Sequence, residues 1–260
     1  MPADDIVPAD WLRPEWAAPG VGALMTTRAG GVGQGAYASM NLREGLGDDD
    51  AVVAHNRARL EQAIAARPVR LNQVHGTHVV RLGLADALPG APVHEADAAI
   101  STEPGIACMV QVADCLPVLF AAPGARGVGA AHAGWRGLAS GVVERTLEAL
   151  CAAASCEPGE VQVWLGPCIG PRRFEVGADV LVAFGVDPIA DESPRFRSHT
   201  PGKWLADLAG LARDRLAAAG VHAVSGGRWC TVEDPSRFFS FRRDRITGRM
   251  AATVWLERVG

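Results

Sequence analysis

The chain has 260 residues, of which 48% are hydrophobic, and this length suits one large domain or two small ones. Its formal net charge is -4, so it lacks the basic excess with which proteins follow a nucleic-acid backbone. No apolar run is long enough to span a bilayer, and the first residues lack the basic and apolar segments of a secretory signal. We therefore expect a cytoplasmic protein that binds neither nucleic acid nor a membrane.

The first half of the chain contains one clear helix pattern. Residues 25–35 are predicted to be a strand end that runs into a glycine-rich loop. Residues 50–66 are predicted to form a helix, because three aspartates at 48–50 crowd its start, where the helix dipole favours negative charge. Pro68 is expected to stop this helix. Two short strands are expected to follow, at 69–74 and 79–82.

The second half mixes strands and helices without strict alternation. The predicted strands are 106–112, 117–122, 127–131, 161–165, 221–224 and 251–256. The predicted helices are 137–153, 176–184 and 204–219, the last of them closed by Gly220. The composition is even along the chain, so we expect a single domain over residues 1–260. The mixed order predicts an α+β fold with sheet layers covered by helices.

The six cysteines are Cys108, Cys115, Cys151, Cys156, Cys168 and Cys230. None forms a Cys-x-x-Cys pair, and isolated cysteines of a cytosolic protein are more often buried or catalytic than bridged. Cys151 and Cys156 lie in an alanine-rich segment typical of a helix end, and we interpret both as packing residues.

Three possible metal ligands stand in turns next to predicted strands, which is where scaffolds usually display reactive groups. They are Cys115 in Ala113-Asp-Cys-Leu-Pro117, His132 in Ala131-His-Ala-Gly-Trp-Arg-Gly137 and His75 in Gln73-Val-His-Gly76. Three protein ligands with one open position are typical of a catalytic zinc site. If the three do not converge, Cys115 and a histidine could form a nucleophile and its base. The plain alternative is a buried cysteine and hydrogen-bonded core histidines.

Two neighbouring residues leave choices open. His78 competes with His75 as a ligand, and on a strand the two would face opposite sides. We prefer His75, because Gly76 beside it permits close approach. Asp114 either orients a ligand imidazole or caps the local turn.

A series of motifs covers nearly the whole chain in order. They are Thr26-Thr-Arg-Ala-Gly-Gly, Asn41-Leu, Gln73-Val-His-Gly76, Glu95-Ala-Asp-Ala, Ala113-Asp-Cys-Leu-Pro117, His132-Ala-Gly-Trp-Arg-Gly137, Gly166-Pro-Cys-Ile-Gly-Pro171, Asp207-Leu, Cys230-Thr, Phe239-Ser-Phe-Arg-Arg and Thr247-Gly-Arg. The chain resembles the bacterial laccase-domain family, also called the multicopper polyphenol oxidoreductase or purine nucleoside phosphorylase family, which includes peptidoglycan-editing-factor-like proteins. Phe241 stands where many members have tyrosine.

The resemblance implies a layered α/β/β/α sandwich and a zinc site formed by His75, Cys115 and His132, with copper as the alternative metal. It implies phosphorolysis of adenosine, inosine and S-methyl-5′-thioadenosine to the free base and a ribose 1-phosphate, with adenosine deamination as a side activity. The partners would be small nucleosides and phosphate, and we expect a monomer or a weak homodimer.

Phosphorolysis needs cationic groups that hold phosphate and groups that stabilise the departing base. Arg28 and Arg242 are our candidates for phosphate, because a guanidinium fork matches its oxygens. Their plain alternatives are a surface turn and a solvated charge run. Asn41 and Gln73 are candidates for hydrogen bonds to the ribose or the base.

The histidine inventory argues against a laccase-type copper cluster. The chain has seven histidines and no His-x-His pair, although one Cys-His₂ set could hold a single copper. Zinc has no redox chemistry of its own, so we rank polyphenol oxidase activity below nucleoside chemistry. The His-x-Glu and Pro-Cys-x-x-Cys patterns of the zinc deaminases are absent from the sequence. Two further hypotheses stay open: a hydrolase or amidase with Cys115 as nucleophile in peptidoglycan precursor editing, and a non-catalytic binding module.

Overall fold

The computed structural model describes residues 7–189 and 193–258 as strands and helices in a mixed order. The strands are β1 (Val21–Met25), β2 (Arg67–Val69), β3 (Leu71–Asn72), β4 (Val79–Arg81), β5 (His94–Glu95), β6 (Ala98–Ser101), β7 (Ile106–Val112), β8 (Leu116–Ala121), β9 (Val128–Ala133), β10 (Gln162–Leu165), β11 (Glu175–Val176), β12 (Phe196–Ser198), β13 (Trp204–Ala206), β14 (Ala223–Gly226) and β15 (Met250–Leu256). The α-helices are α1 (Asp50–Ile64), α2 (Trp135–Ala139), α3 (Val142–Ala154), α4 (Ala178–Ala183), α5 (Leu208–Ala218) and α6 (Phe241–Asp244). Within the described ranges, no helix has the length and apolar character needed to cross a membrane.

Two sheets make up the centre of the fold. One has four strands in the order β1-β15-β7-β2, and the other has six in the order β14-β10-β8-β9-β6-β4. In the first sheet β15 is antiparallel to β1 and β7, and in the second β8, β9, β10 and β6 pair antiparallel with their inner neighbours. The edge strands β2, β14 and β4 pair parallel. Both sheets are therefore mixed.

Alternation along β7 shows how the four-stranded sheet is covered on both faces. Successive side chains of a strand point to opposite faces. Cys108 and Val110 lie in a core between the two sheets, whereas Met109 packs on the other face with Leu60 and Ile64 of α1. Helix α1 therefore forms one outer layer of the molecule.

The six-stranded sheet is covered in the same way by helices on its outer face. Leu119 of β8 belongs to the core between the sheets, and the adjacent Phe120 packs with Leu147 and Leu150 of α3. Helix α5 adds Leu216 to the same cluster. The order helix, sheet, sheet, helix confirms the predicted α+β fold and its α/β/β/α layering.

Three predicted elements differ from the structure for local reasons. Helix α1 ends at Ile64, because Ala65 adopts φ +50°, and Pro68 lies within β2 rather than stopping the helix. The expected helix at 137–153 is two helices, separated at Gly141, whose φ is +94°.

The expected helix at 204–219 also begins later than its pattern suggests. Residues Trp204–Ala206 pair as strand β13 between β11 and β12. The helix starts after Asp207, whose carboxylate accepts a hydrogen bond from the backbone N–H of Gly210 at 2.9 Å. The cap residue thus fixes the boundary between the strand and the helix.

The register of β8 and β9, two central strands of the six-stranded sheet, brings distant residues together where β8 begins and β9 ends. Leu116 pairs with Ala133, and Pro117 pairs with His132. The residue that precedes β8, Cys115, therefore lies beside the end of β9.

Candidate metal centre

The thiol of Cys115 and the imidazoles of His75 and His132 meet near the start of β8 and the end of β9. Sγ of Cys115 lies 3.8 Å from Nε2 of His75, and the centroids of the two imidazole rings are 4.8 Å apart. One ligand atom from each residue lies within 4.8 Å of the other two. His132 is buried, Cys115 is half-buried and His75 is exposed, so the cluster opens to one side.

A buried carboxylate, Asp97, fixes both histidines from behind. Its Oδ1 accepts hydrogen bonds from Nδ1 of His132 at 2.7 Å and from the backbone N–H of His75 at 2.9 Å. Its Oδ2 accepts from the N–H groups of Val74 at 3.1 Å and Gly76 at 2.6 Å. With Nδ1 of His132 bound to Asp97, Nε2 is the ring nitrogen left for a metal. One carboxylate thus shapes the loop of one ligand and sets the tautomer of another.

The charge of Asp97 is stabilised inside the protein. Burial favours its neutral form, but the hydrogen bonds from His132 and from the backbone N–H groups outweigh burial and hold the pKa of Asp97 below its usual range. Asp97 therefore stays ionised at neutral pH and attracts a proton onto Nδ1 of His132.

The same balance acts on the Cys115 thiol. Burial disfavours the thiolate, but the charge and hydrogen bond of His132, together with those of His75, lower the pKa of Cys115 to about 6. Burial also disfavours a charged His132, but Cys115 and Asp97 raise the pKa of His132 to about 9. Without a metal, these two shifts favour a thiolate on Cys115 and a proton on His132. A metal ligand must be a thiolate, so the site already favours the binding form of Cys115.

Glycines make this close approach possible. A Cβ atom on Gly134 would lie 2.9 Å from Cδ2 of His75 and 3.1 Å from Sγ of Cys115. A Cβ atom on Gly137 would lie 2.9 Å from the carbonyl oxygen of Gly76. His75 itself has φ +63°, a conformation that costs a non-glycine residue about 1–3 kcal/mol and that clusters at functional sites.

The donor set suits a single metal ion, and the spacing of Cys115 and His75 is close to that of two ligands on one ion. Zn–S and Zn–N bonds of about 2.3 and 2.05 Å at a tetrahedral angle would separate the two donors by about 3.6 Å. The observed 3.8 Å between Cys115 and His75 is close to that value. One thiolate and two imidazoles suit zinc with a fourth position open, and the same set is compatible with copper.

Two cavities of different character meet at the cluster. The polar cavity has a volume of about 780 Å³. Besides the three candidate ligands, its wall includes Arg43, Gln73, Gln111 and Arg249. The apolar cavity has a volume of about 500 Å³. Its wall includes Trp135, Ile169, Phe174, Leu208 and Arg242. Ala113, Cys115 and Phe241 line both cavities.

Two of the predicted substrate residues lie outside these cavities. The guanidinium of Arg28 donates to the backbone oxygens of Ala38 at 2.9 Å and Pro235 at 2.8 Å, so it ties two loops together instead of facing the cluster. This corrects the expectation that Arg28 holds phosphate at the site. Asn41 is completely buried, and its amide is engaged with Arg43, Asp48 and Arg249. Asn41 is therefore not free to bind a ribose or a base.

The other two predicted substrate residues do line cavities. Gln73 lies in the wall of the polar cavity, but its amide donates to the carbonyl of Gln111 at 2.9 Å and accepts from its N–H at 2.8 Å. Arg242 lines the apolar cavity and donates to the carbonyl of Glu175 at 3.0 Å. The guanidinium of Arg242 also lies 5.5 Å from the ring of Phe174.

The structure shows where His78 and Asp114, whose roles the sequence left open, lie relative to the cluster. The ring of His78 bonds to the carbonyl oxygen of Glu95 at 2.9 Å and lies outside the cluster. Asp114 accepts from Oγ1 of Thr231 at 2.5 Å and from the N–H of Arg242 at 2.6 Å, so it anchors the turn rather than an imidazole.

Sequence reasoning missed three residues of the site. Asp97 belongs to the Glu95-Ala-Asp-Ala motif. Its place among alanines could have indicated a buried carboxylate. Arg43 directly follows the Asn41-Leu motif and Arg249 ends Thr247-Gly-Arg, but neither arginine had an assigned role.

Comparisons with known proteins identify the family of the chain. A family model described as multi-copper polyphenol oxidoreductase laccase matches residues 22–257. A Pseudomonas aeruginosa protein named as a purine nucleoside phosphorylase is 48% identical over 249 residues, which cover 95% of this chain and 98% of that protein. The Escherichia coli purine nucleoside phosphorylase YfiH is 47% identical, over 94% of this chain and 98% of that protein.

Solved structures show the same fold. A crystal structure of a Neisseria meningitidis protein matches with a TM-score of 0.88 and 44% identity, over 96% of this chain and all of that chain. YlmD from Geobacillus stearothermophilus matches with a TM-score of 0.88 and 34% identity, over 95% of this chain and 96% of that chain. The chain therefore belongs to the multi-copper polyphenol oxidoreductase laccase family.

Proposed function

We propose that this protein is a purine nucleoside phosphorylase with zinc held by His75, Cys115 and His132. The observation that carries the proposal is the position of this three-ligand cluster, which opens into a polar cavity and an apolar cavity at once. The names of relatives that are 47–48% identical over nearly the whole chain support the same reaction. The proposed substrates are adenosine, inosine and S-methyl-5′-thioadenosine, with phosphate as the second substrate.

The apolar cavity suits the purine. Trp135 and Phe174 supply aromatic walls, and stacking on a base contributes about 1–3 kcal/mol per aromatic contact. Phe241 closes the boundary with the polar cavity. A base leaving the sugar would therefore contact mainly apolar and aromatic side chains.

The residues behind the cluster supply proton control. Asp97 keeps a proton on Nδ1 of His132, so Nε2 stays the ligand atom. Bound zinc would act as a Lewis acid on an oxygen atom of a substrate. The protein would orient both substrates around it, and this proximity is a major source of rate enhancement.

Adenosine deamination is part of the proposal as a side activity. The chain lacks the sequence patterns of the zinc deaminases, so the activity would rest on His75, Cys115, His132 and their surroundings. Conversion of adenosine to inosine without phosphate would reveal it.

A second candidate function is a hydrolase or amidase with Cys115 as nucleophile. The observation in its favour is the series Cys115, His132 and Asp97, in which a carboxylate orients a histidine that faces a thiol. This reading predicts activity that survives complete removal of metal and is lost on alkylation. Polyphenol oxidation by a bound copper would instead need oxygen uptake with a phenol.

Product analysis of adenosine turnover distinguishes these functions. Purified protein is incubated with adenosine in the presence and absence of phosphate, and the products are separated by chromatography. The proposal predicts adenine and ribose 1-phosphate in equal amounts only when phosphate is present. Adenine with free ribose in phosphate-free buffer would instead identify a hydrolase, and the absence of any adenine would reject the phosphorylase.

A further inference from the structure

Two arginine side chains in the polar cavity have no carboxylate partner among the residues that the structure describes. Arg249 donates from one guanidinium nitrogen to the carbonyls of Thr247 at 2.9 Å and Gly248 at 3.1 Å. Within residues 7–189 and 193–258, the guanidinium of Arg43 has no hydrogen-bond partner, and neither arginine lies within 4.0 Å of a carboxylate oxygen. Most donors of this pair are therefore available to a ligand.

The fold holds the backbones of the two arginines side by side. Oδ1 of the buried Asn41 accepts hydrogen bonds from the N–H groups of Arg43 at 3.1 Å and Arg249 at 2.9 Å. The guanidinium of Arg249 also lies 5.7 Å from the ring centroid of Phe241. Burial lowers the pKa of Arg249, and the like charge of Arg43 lowers it further.

Nearby acids are already engaged elsewhere. Glu44, the residue after Arg43, forms ion pairs with Arg57 and with Arg70. Oδ2 of Asp48 accepts a hydrogen bond from Asn41 at 2.9 Å. Glu44 and Asp48 therefore do not pair with Arg43 or Arg249, although Cys115 in the same wall and Asp114 act on the charge of Arg249 at longer range.

We propose that Arg43 and Arg249 form an anion subsite that holds a phosphate group in the polar cavity, beside the cluster of His75, Cys115 and His132. The assignment of that phosphate as the second substrate rests on the proposed phosphorylase activity. The subsite itself rests on two guanidinium groups that have no carboxylate partner among the described residues, and on Asn41, which holds the backbones of both arginines side by side. It takes the role that the sequence suggested for Arg28.

Phosphate fits the pair better than a small carboxylate does. A guanidinium offers two parallel N–H groups, and two guanidinium groups can bind different edges of one tetrahedral phosphate. The phosphate could be inorganic phosphate or the phosphate of a nucleotide, because both present the same oxygens.

Binding measurements test the subsite without requiring turnover. Isothermal titration of the purified protein with inorganic phosphate, adenosine 5′-monophosphate and acetate compares the two phosphate sources with a carboxylate. We expect Arg43→Gln and Arg249→Gln each to weaken phosphate binding at least about tenfold, a change of about 1.4 kcal/mol. Tight binding of the nucleotide alone, lost in both variants, keeps the subsite and assigns it to a phosphate ester.

Three variants serve as controls. Arg245→Gln removes an exposed arginine that lies 5.7 Å from the same Phe241 ring but outside both cavity walls, and it should leave phosphate affinity unchanged. Arg249→Lys should recover part of the affinity, because it restores the charge without the fork. Cys115→Ala should still bind phosphate, because the arginines rather than a metal hold it.

The outcomes separate the subsite from the proposed function. Unchanged phosphate affinity in Arg43→Gln and Arg249→Gln, or equal affinity for acetate, overturns the subsite even if adenosine is cleaved. Loss of phosphate binding in both variants supports the subsite even if the wild-type protein releases no adenine, and in that case only the phosphorylase fails. Should Arg249→Gln unfold, Arg43→Gln remains decisive, because its side chain makes no hydrogen bond in the described structure.

Discussion

The polar and apolar cavities share Ala113, Cys115 and Phe241 but differ in what they offer a ligand. The polar cavity presents guanidinium, amide and imidazole groups, whereas the apolar cavity presents aromatic and aliphatic walls. A nucleoside and phosphate divide along the same line, with a flat base on one side and a compact anion on the other. The cluster stands where the bond between the sugar and the base would lie in such an arrangement.

Arginines inside and outside the polar cavity also differ in their partners. Arg28 is committed to the carbonyls of Ala38 and Pro235, and its role is to hold loops together. Arg43 and Arg249 lie in a cavity wall without a paired carboxylate. Residue type alone does not distinguish them, but the location of their partners does.

Removal of the Cys115 thiol, which lines both cavities, should have the largest effect on activity. Cys115→Ala leaves two imidazoles, which hold zinc much more weakly than a three-ligand set. We expect loss of bound zinc by elemental analysis and loss of phosphate-dependent adenine release. Cys156→Ala is the matched control, because Cys156 lies just after α3 and outside both cavity walls. Full zinc content in Cys115→Ala would refute Cys115 as a ligand.

Loss of the Asp97 carboxylate, which accepts a hydrogen bond from His132, should have the next largest effect. Asp97→Asn removes the negative acceptor of His132 and of three backbone N–H groups. We expect zinc affinity to fall about 10- to 100-fold, as is usual when a partner of a ligand histidine is replaced. Competition with a chromophoric chelator measures this affinity, and wild-type affinity in the variant would contradict the assignment.

Asp97 also predicts how stability depends on pH. Its pKa is lowered in the folded protein, so its contribution is fully present above the ordinary carboxyl pKa of about 3.9 and is lost as pH falls through the lowered value. Thermal unfolding between pH 3 and pH 7 should therefore show a smaller gap between wild type and Asp97→Asn at the acid end.

A change on the apolar side should affect one substrate only. Trp135→Ala removes an aromatic wall and should raise the KM for adenosine about five- to hundredfold, as expected for loss of about 1–3 kcal/mol of stacking. The KM for phosphate should stay within about twofold. Equal increases in both KM values would show that the two cavities do not bind separate substrates.

The smallest expected effect needs no mutation and concerns the pH at which the Cys115 thiol becomes reactive. The pKa of Cys115 is lowered to about 6, so in metal-free protein its alkylation rate should be half-maximal near pH 6 and level above pH 7. Burial raises the pKa of the Cys108 thiol, which should stay unreactive over this range. Mass mapping after iodoacetamide treatment resolves the two, and a Cys115 rate still rising at pH 8.5 would contradict the lowered pKa.

The sequence predicted the layers and the cluster because both depend on local patterns. The apolar run at 106–112 became β7 at the expected boundaries, and Cys115 lies just before β8, whereas His132 lies inside β9 rather than in the turn after it. The family resemblance, rather than spacing, placed His75 in the set. These features are encoded in alternation, turns and motifs.

The remaining features depend on contacts that no local pattern reveals. Asp97 reaches His132 across 35 positions of sequence, and Asn41 reaches Arg249 across 208. Trp204–Ala206 has a helical pattern with the residues that follow it, yet strand pairing overrides that preference. Whether an arginine bonds to a carbonyl or stays available in a cavity is likewise decided by tertiary structure.

Stepwise return of zinc to metal-free protein tests the central claim most directly. The protein is stripped with a chelator, zinc is added in known amounts, and adenine release from adenosine is followed in phosphate buffer. Activity should be absent at first, rise in proportion to zinc and level off at about one ion per chain, as expected for a single three-ligand site. Full phosphate-dependent activity in the stripped protein, with no response to zinc, would contradict it.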